Sequence, residues 1–226
     1  MKIAPLLFTI VLFTGLISMA SNLKKYRVRR ALKKESKFEP YGKVKKAKSK
    51  EPLYVVQKHD ASHLHYDLRL EIDGVLKSWA VPKGLPATRG IRRLAMPTDD
   101  HPMEYGDFEG IIPEGHYGAG TVMVWDTGSF ENIKEEKGRL VPLDECYDRG
   151  TIEVFIKGKK IWGPYALIKT GGLANKESWI LLKMNPSSPR LRRARPRKDE
   201  RMRRDVSALT KRTMKKIADD HDAEWE

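Results

Sequence analysis

The chain has 226 residues, enough for one good-sized domain with extensions. Lys and Arg outnumber Asp and Glu by 44 to 30, a formal net charge of +14, which points to an anionic partner, nucleic acid or a membrane surface first. Cys146 is the single cysteine, which excludes a disulfide framework and a thiolate zinc site, so any metal must be held by histidine and carboxylate.

Residues 1–20 form an apolar segment with only Lys2 charged. Three readings stand side by side. It resembles a secretory h-region, with Ser18-Met19-Ala20 as a small-x-small cleavage site. It also fits an uncleaved anchor of marginal length. Alternatively Met19 is the true start of a cytoplasmic protein, and the segment before it is not part of the protein. A membrane partner enters only if the segment is kept as an anchor. Residues 21–50 are a basic arm with few apolar positions, read either as a solvated linker or as an arm that tracks a DNA backbone.

From Tyr54 the pattern is β. Leu64, Tyr66, Leu68 and Leu70 alternate with His63, His65, Asp67, Arg69 and Glu71. In a strand this sets imidazole, carboxylate and guanidinium in order along one face. Histidine and aspartate suit a divalent metal, and arginine suits a phosphate. The ordinary alternative is a strand with a solvated polar face. Three histidines, an aspartate and an arginine within eleven residues, in a chain of six histidines, argue against it. Asp73-Gly74 lies between alternating runs Leu64–Ile72 and Val75–Val81 and predicts a two-residue hairpin. Arg92–Met96 is a further short strand, followed by a loop that carries His101 and Tyr105.

Residues 108–121 are glycine-rich, but Gly115-x-x-Gly118-x-Gly120 is not a phosphate-loop spacing, so tight turns or bulges are expected there, with His116 no ligand. Thr121–Trp125, Thr151–Ile156, Tyr165–Thr170 and Trp179–Met184 read as strands. Many short strands without interleaved helices predict an all-β sandwich or barrel. After Pro186 the composition turns basic again, and Asp205 to about Asp219 reads as a helix with Asp205 as N-cap.

The residues Gln57-Lys58-His59-Asp60-Ala61, then Leu64 to Glu71, resemble the signature of the 3′-phosphoesterase domain of bacterial DNA ligase D. The similarity continues through Lys77 to Gly84, Asp100-His101-Pro102 with Tyr105, Phe108-Glu109-Gly110, Pro113-Glu114-Gly115 and Tyr117 to Val122. It implies a compact single-domain β-barrel at residues 51–185, with basic, partly disordered extensions, the second at 186–226 with a short helix. It departs from the family in the arm, where Tyr26 is followed by Arg29-Arg30-Ala31-Leu32 without the family's acidic residue, and at Asp99, where relatives often carry Glu.

By motif position, the resemblance implies that His59, His65 and Asp67 hold a divalent metal, manganese by preference. Arg69, His101 and Tyr105 would hold or act on the scissile phosphate: Arg69 as a two-pronged donor, His101 as charge stabiliser or proton donor, Tyr105 as a hydrogen-bond donor. If the loop forms one turn, His101 and Tyr105 converge. His63 shares the strand face and is placed beside the ligands or toward solvent. The implied activity is healing of DNA or DNA/RNA primer–template 3′ ends, by removal of a terminal ribonucleoside and then of the 3′-phosphate. A DNA ligase or an end-binding protein would be a partner, in the bacterial cytoplasm at the nucleoid, with export or tethering through residues 1–20 as the alternative. The competing function is a non-catalytic nucleic-acid-binding barrel.

Overall fold

A computed structural model of the chain describes residues 51–173, 176–186, 191–192 and 205–225. The apolar segment at 1–20, the basic arm at 21–50 and most of the arginine-rich run at 187–204 lie outside them.

Eleven strands are described: β1 (Leu53–Asp60), β2 (Leu64–Ile72), β3 (Val75–Val81), β4 (Arg92–Pro97), β5 (Gly110–Ile112), β6 (Gly120–Asn132), β7 (Glu135–Glu136), β8 (Arg139–Leu140), β9 (Thr151–Gly158), β10 (Trp162–Leu173) and β11 (Lys176–Lys183). A 3-10 turn (Met103–Asp107) and two helices, α1 (Leu143–Asp148) and α2 (Met214–Asp220), join them. The order β1-β2-β3-β4-β11-β10-β9-β6 closes on itself because β6 also pairs with β1. Every pairing in this ring is antiparallel, which gives the expected barrel. β5 hangs on β6 outside the ring, and β7 with β8 forms a separate ribbon.

The hairpin between β2 and β3 forms as the sequence predicts. Asp73 and Gly74 both take positive φ, 52° and 71°, and Ile72 pairs with Val75. β6 is far longer than the Thr121–Trp125 run suggests, because its first half pairs with β1 and its end with β9. At Gly128 these partners crowd together, and a Cβ there would collide with the Lys157 carbonyl. Just before it, the buried carboxylate of Asp126 accepts the backbone N–H groups of Thr127, Lys160 and Ile161 at 3.0, 2.7 and 2.8 Å. It thereby stitches the β9–β10 turn to the barrel wall.

The interior is apolar and aromatic: Trp79, Trp179, Tyr54, Tyr165, Phe130, Leu68 and Leu70 are all buried in one cluster. A second cluster of Leu76, Tyr105, Phe108, Ile112, Val122 and Trp225 covers part of the outside. The glycine-rich segment forms successive turns, His116 N–H to the Pro113 carbonyl and Ala119 N–H to that of His116, with positive φ at Gly115 and Gly118.

The helix expected from Asp205 forms only at α2, whose N-cap is Thr213; the Thr213 hydroxyl accepts the Lys216 N–H at 3.1 Å. Residues 205–213 are committed elsewhere. Asp205 pairs with Lys58, the Ala208 N–H goes to the Val124 carbonyl on β6, and the Ser207 hydroxyl accepts the N–H groups of Leu209 and Thr210. Among the described residues no helix is long and apolar enough to cross a membrane.

Trp79 is 1% exposed and meets both Trp179 and Tyr147 edge-on. Trp79→Ala is expected to lose about 3–5 kcal/mol of stability in urea denaturation. A loss under about 1 kcal/mol would show that this cluster does not hold the barrel.

Candidate metal centre and active site

Strand register assembles the site. In the β1–β2 pair, His59 stands opposite His65, Gln57 opposite Asp67 and Val55 opposite Arg69. In the β2–β3 pair, Arg69 stands opposite Ser78. Side-chain alternation therefore puts His59, His65, Gln57, Asp67, Arg69 and Ser78 on one face. The apolar positions Leu68, Leu70 and Ile72 of β2 face the interior, while Leu64 at its start is exposed. The polar face is not solvated either: His59, Asp67 and Arg69 are 5, 7 and 1% exposed. The 3-10 turn and the loop to β5 lie over it.

The ligand atoms of His59, His65 and Asp67 all fall within 4.8 Å of one another. His65 Nε2 lies 3.5 Å from Asp67 Oδ1, and His59 Nδ1 lies 3.8 Å from Asp67 Oδ2. Donors bound to a common ion at roughly 2.0–2.2 Å stand a little over 3 Å apart, so this spacing is near that of a loaded site. The tautomer of His65 fits as well. Its Nδ1 is 2.8 Å from the His63 carbonyl, which can only accept, so the proton sits on Nδ1 and Nε2 turns its lone pair to Asp67. His63 serves through its backbone, and its side chain is exposed. His59 turns Nδ1 toward Asp67, so that this nitrogen faces the prospective ion, while its Nε2 is buried without a hydrogen-bond partner among the described residues. The set could bind a divalent metal, and two imidazoles with one carboxylate leave coordination positions open.

Arg69 sits beside this group. Its Nε donates to Gln57 Oε1 at 2.6 Å, Nη1 to Ser78 Oγ at 2.7 Å and Nη2 to Asp67 Oδ2 at 2.8 Å. Nη1 is also 3.0 Å from His101 Nδ1. Guanidinium can only donate, and Ser78 Oγ gives its proton to the Leu76 carbonyl, so His101 Nδ1 accepts and the ring proton lies on Nε2. Four of the five guanidinium N–H groups are thus used, and the two-pronged phosphate grip expected of Arg69 is reduced to one Nη2 N–H in this arrangement. Burial opposes charge on Asp67. The Arg69 guanidinium and the two imidazoles outweigh it and hold the carboxyl well below the usual carboxylate range.

His101 is brought in by a bridge to Leu76 of β3, and the 3-10 turn that follows carries Tyr105 back over the site. The two rings lie 4.7 Å apart, as a single turn between them requires, and the Arg69 guanidinium lies over the Tyr105 ring at 4.7 Å. The structure therefore brings all six sequence-predicted residues together. It adds two that sequence reasoning did not single out. Gln57 grips Arg69 with its oxygen while its Nε2 donates to the carbonyls of Tyr105 and Phe108, at 2.9 and 3.1 Å. Ser78 spans Arg69 and His101. Gln57 lies two residues before His59 and Ser78 opposite Arg69, so strand period and hairpin register held both signals.

Because His63 acts through its carbonyl, His63→Ala should keep manganese affinity within about threefold of wild type by calorimetry, while His65→Ala and Asp67→Ala should each lose at least about tenfold. Equal losses in all three would reject this ligand set. Asp67 has its folded pKa depressed from 3.8. The stability its charge provides is complete above that value and is lost as pH falls through it toward the folded value. In metal-free buffer the urea-stability gap between wild type and Asp67→Asn should narrow from about pH 6 to about pH 3, and a gap constant with pH would contradict the pairing.

Residues 57–169 match the family model of the DNA ligase D 3′-phosphoesterase domain. The chain is 43% identical over 161 residues to the multifunctional non-homologous end joining protein LigD of Pseudomonas aeruginosa, covering 71% of this chain and 18% of that protein. It is 50% identical over 133 residues to the protein of the same name from Mycolicibacterium smegmatis, covering 58% and 16%. With the multifunctional non-homologous end joining DNA repair protein LigD of Mycobacterium tuberculosis it shares 42% over 154 residues, 68% of this chain and 19% of that one. The match thus spans less than a fifth of the length of each relative. On the family match and these identities, the chain belongs to the DNA ligase D 3′-phosphoesterase domain family.

Proposed function

We propose that this chain is a metal-dependent hydrolase that heals DNA 3′ ends, removing a terminal ribonucleoside and then the remaining 3′-phosphate to leave a 3′-hydroxyl. One observation carries the reading: the His59–His65–Asp67 triad, with His59 and Asp67 buried and His65 half-buried, stands directly beside an arginine that also holds His101. His59, His65 and Asp67 would hold the cation, with manganese the ion the family resemblance implies. When bound, it would polarise a phosphate oxygen and make a coordinated water more acidic.

The protein's own groups do the rest. Arg69 keeps Asp67 ionised and offers its remaining Nη2 N–H toward phosphate. His101, fixed by Arg69 with its proton on Nε2, donates that N–H to the charge that builds on phosphate or leaving oxygen. Tyr105 is packed against both and supplies a further donor. The two trimming steps share this phosphate site, and only the first needs a 2′-hydroxyl. The names of the relatives tie them to non-homologous end joining, so the substrate here is a primer strand end, met beside a ligase or an end-binding protein at the bacterial nucleoid.

The test uses a 5′-labelled primer–template ending in a 3′-phosphate or a 3′-ribonucleoside, with manganese. Wild type is expected to convert both to a 3′-hydroxyl. His65→Ala and His101→Ala should each turn over at least about 100-fold more slowly. No release by wild type would reject the enzyme reading and leave a nucleic-acid-binding barrel. Full activity in excess EDTA would reject the metal.

A further inference from the structure

The segment 205–225 lies outside the matched family region, yet it is packed on the site side of the barrel. It is fastened along its length. The Ala208 N–H donates to the Val124 carbonyl at 2.8 Å, and the Thr210 hydroxyl to Glu109 Oε2 at 2.8 Å. Glu109 Oε1 in turn accepts the Val124 N–H at 3.0 Å, so one buried carboxylate clamps segment and strand together. At its far end the segment adds a parallel rung to the outer edge of β5. The Ile111 N–H goes to the Ala223 carbonyl at 2.9 Å and the Trp225 N–H to the Ile111 carbonyl at 3.0 Å. Gly110 has no side chain where this rung passes, and a Cβ there would collide with the Ala223 carbonyl.

The rung delivers Trp225, 6% exposed, against the back of the site. Its ring meets Tyr105 edge-on at 4.7 Å and Phe108 at 5.3 Å. Tyr105 is thus fixed from several directions: Gln57 grips its carbonyl, Phe108 stacks on it at 5.5 Å, and Trp225 bears on it from outside the barrel. The faces of Tyr105 that matter for phosphate, toward Arg69 and His101, depend on where this ring is held.

We infer that residues 205–225 are a strap that completes the active site, and that Trp225 is a positioning residue for Tyr105 and, through it, for the Arg69–His101 pair. The inference rests on the phosphoesterase reading of that site. The strap reaches β1 through the Asp205–Lys58 pair, while the metal triad comes from the β1–β2 pair, where His59 stands opposite His65. A fault in the strap should therefore appear in turnover and not in metal binding. Displacing a reacting group by about 1 Å costs about 100-fold in rate.

The experiment compares wild type with Trp225→Ala, Trp225→Leu and Trp225→Phe on the 3′-phosphate primer–template. Trp225→Ala is expected to lower kcat about 10- to 100-fold, with KM and manganese affinity within about threefold of wild type. Trp225→Phe, which keeps an aromatic edge, should recover most of the rate. If the alanine protein does not fold, the leucine variant, which fills part of the volume without a ring, carries the test. Wild-type kcat in Trp225→Ala or Trp225→Leu would overturn the inference. So would a rate loss that tracks loss of manganese affinity and is not rescued by phenylalanine. A readout independent of activity is the nitrogen spectrum of ¹⁵N-histidine-labelled protein. The His101 ring signals should move in the leucine variant while those of His65 stay, and unmoved His101 signals would overturn the inference. If wild type proves inactive, the phosphoesterase reading fails, and this spectrum alone decides whether Trp225 sets the Tyr105–His101 geometry.

Discussion

The buried pair of Arg69 and Asp67 is the constraint on which the site depends. Taking two charges out of water is costly unless geometry is good and the remaining donors are met. Here Gln57, Ser78 and His101 take up three more of the guanidinium N–H groups, and Asp67 stays ionised despite its burial. One side chain thereby performs three tasks. It keeps a carboxylate charged, it fixes the tautomer of His101, and it gives Tyr105 a cationic surface to lie on. Lysine has neither the planarity nor the number of donors to do this.

The barrel makes such a pair affordable by building inward and outward at once. Along β2, Leu68 and Leu70 fill the interior while Asp67 and Arg69 face out. A slip of one residue in the register would exchange these sets, placing charges among Trp79, Trp179 and Tyr165. The apolar interior therefore enforces the polar order outside it. The outer face is then covered in part by Tyr105, Phe108 and Trp225, so that Asp67 and Arg69 are buried there while His65 keeps some exposure.

Much of this was legible in the sequence where the relevant contacts are local or periodic. Alternation from Leu64 to Glu71 assigned the faces, Asp73-Gly74 set a hairpin with the observed ends, and the spacing of His101 and Tyr105 let them converge if the loop formed one turn, as it does. What was missed depends on partners far along the chain. β6 runs past Trp125 because two different strands need it, and nothing within 121–132 announces that. Apolar spacing after Asp205 suggests a helix, but the backbone N–H groups from Ala208 to Thr210 bond to β6 and to the Ser207 hydroxyl, and tertiary bonding overrides propensity. Arg69 was read as a free phosphate donor, since a sequence does not reveal that Gln57 and Ser78 already occupy it. Trp225 carries no local signal, because its meaning lies in Tyr105, 120 positions earlier.

The tight turn between β1 and β2 has a consequence for how the molecule matures. It confines the three prospective ligands to residues 59–67, joined by a hairpin that forms through short loop closure. His101, Tyr105 and Trp225 arrive only through long-range docking onto that hairpin, which is the slow part of building a β structure. The residues that could hold an ion are therefore brought together by local pairing, while those that flank them depend on contacts spanning much of the chain.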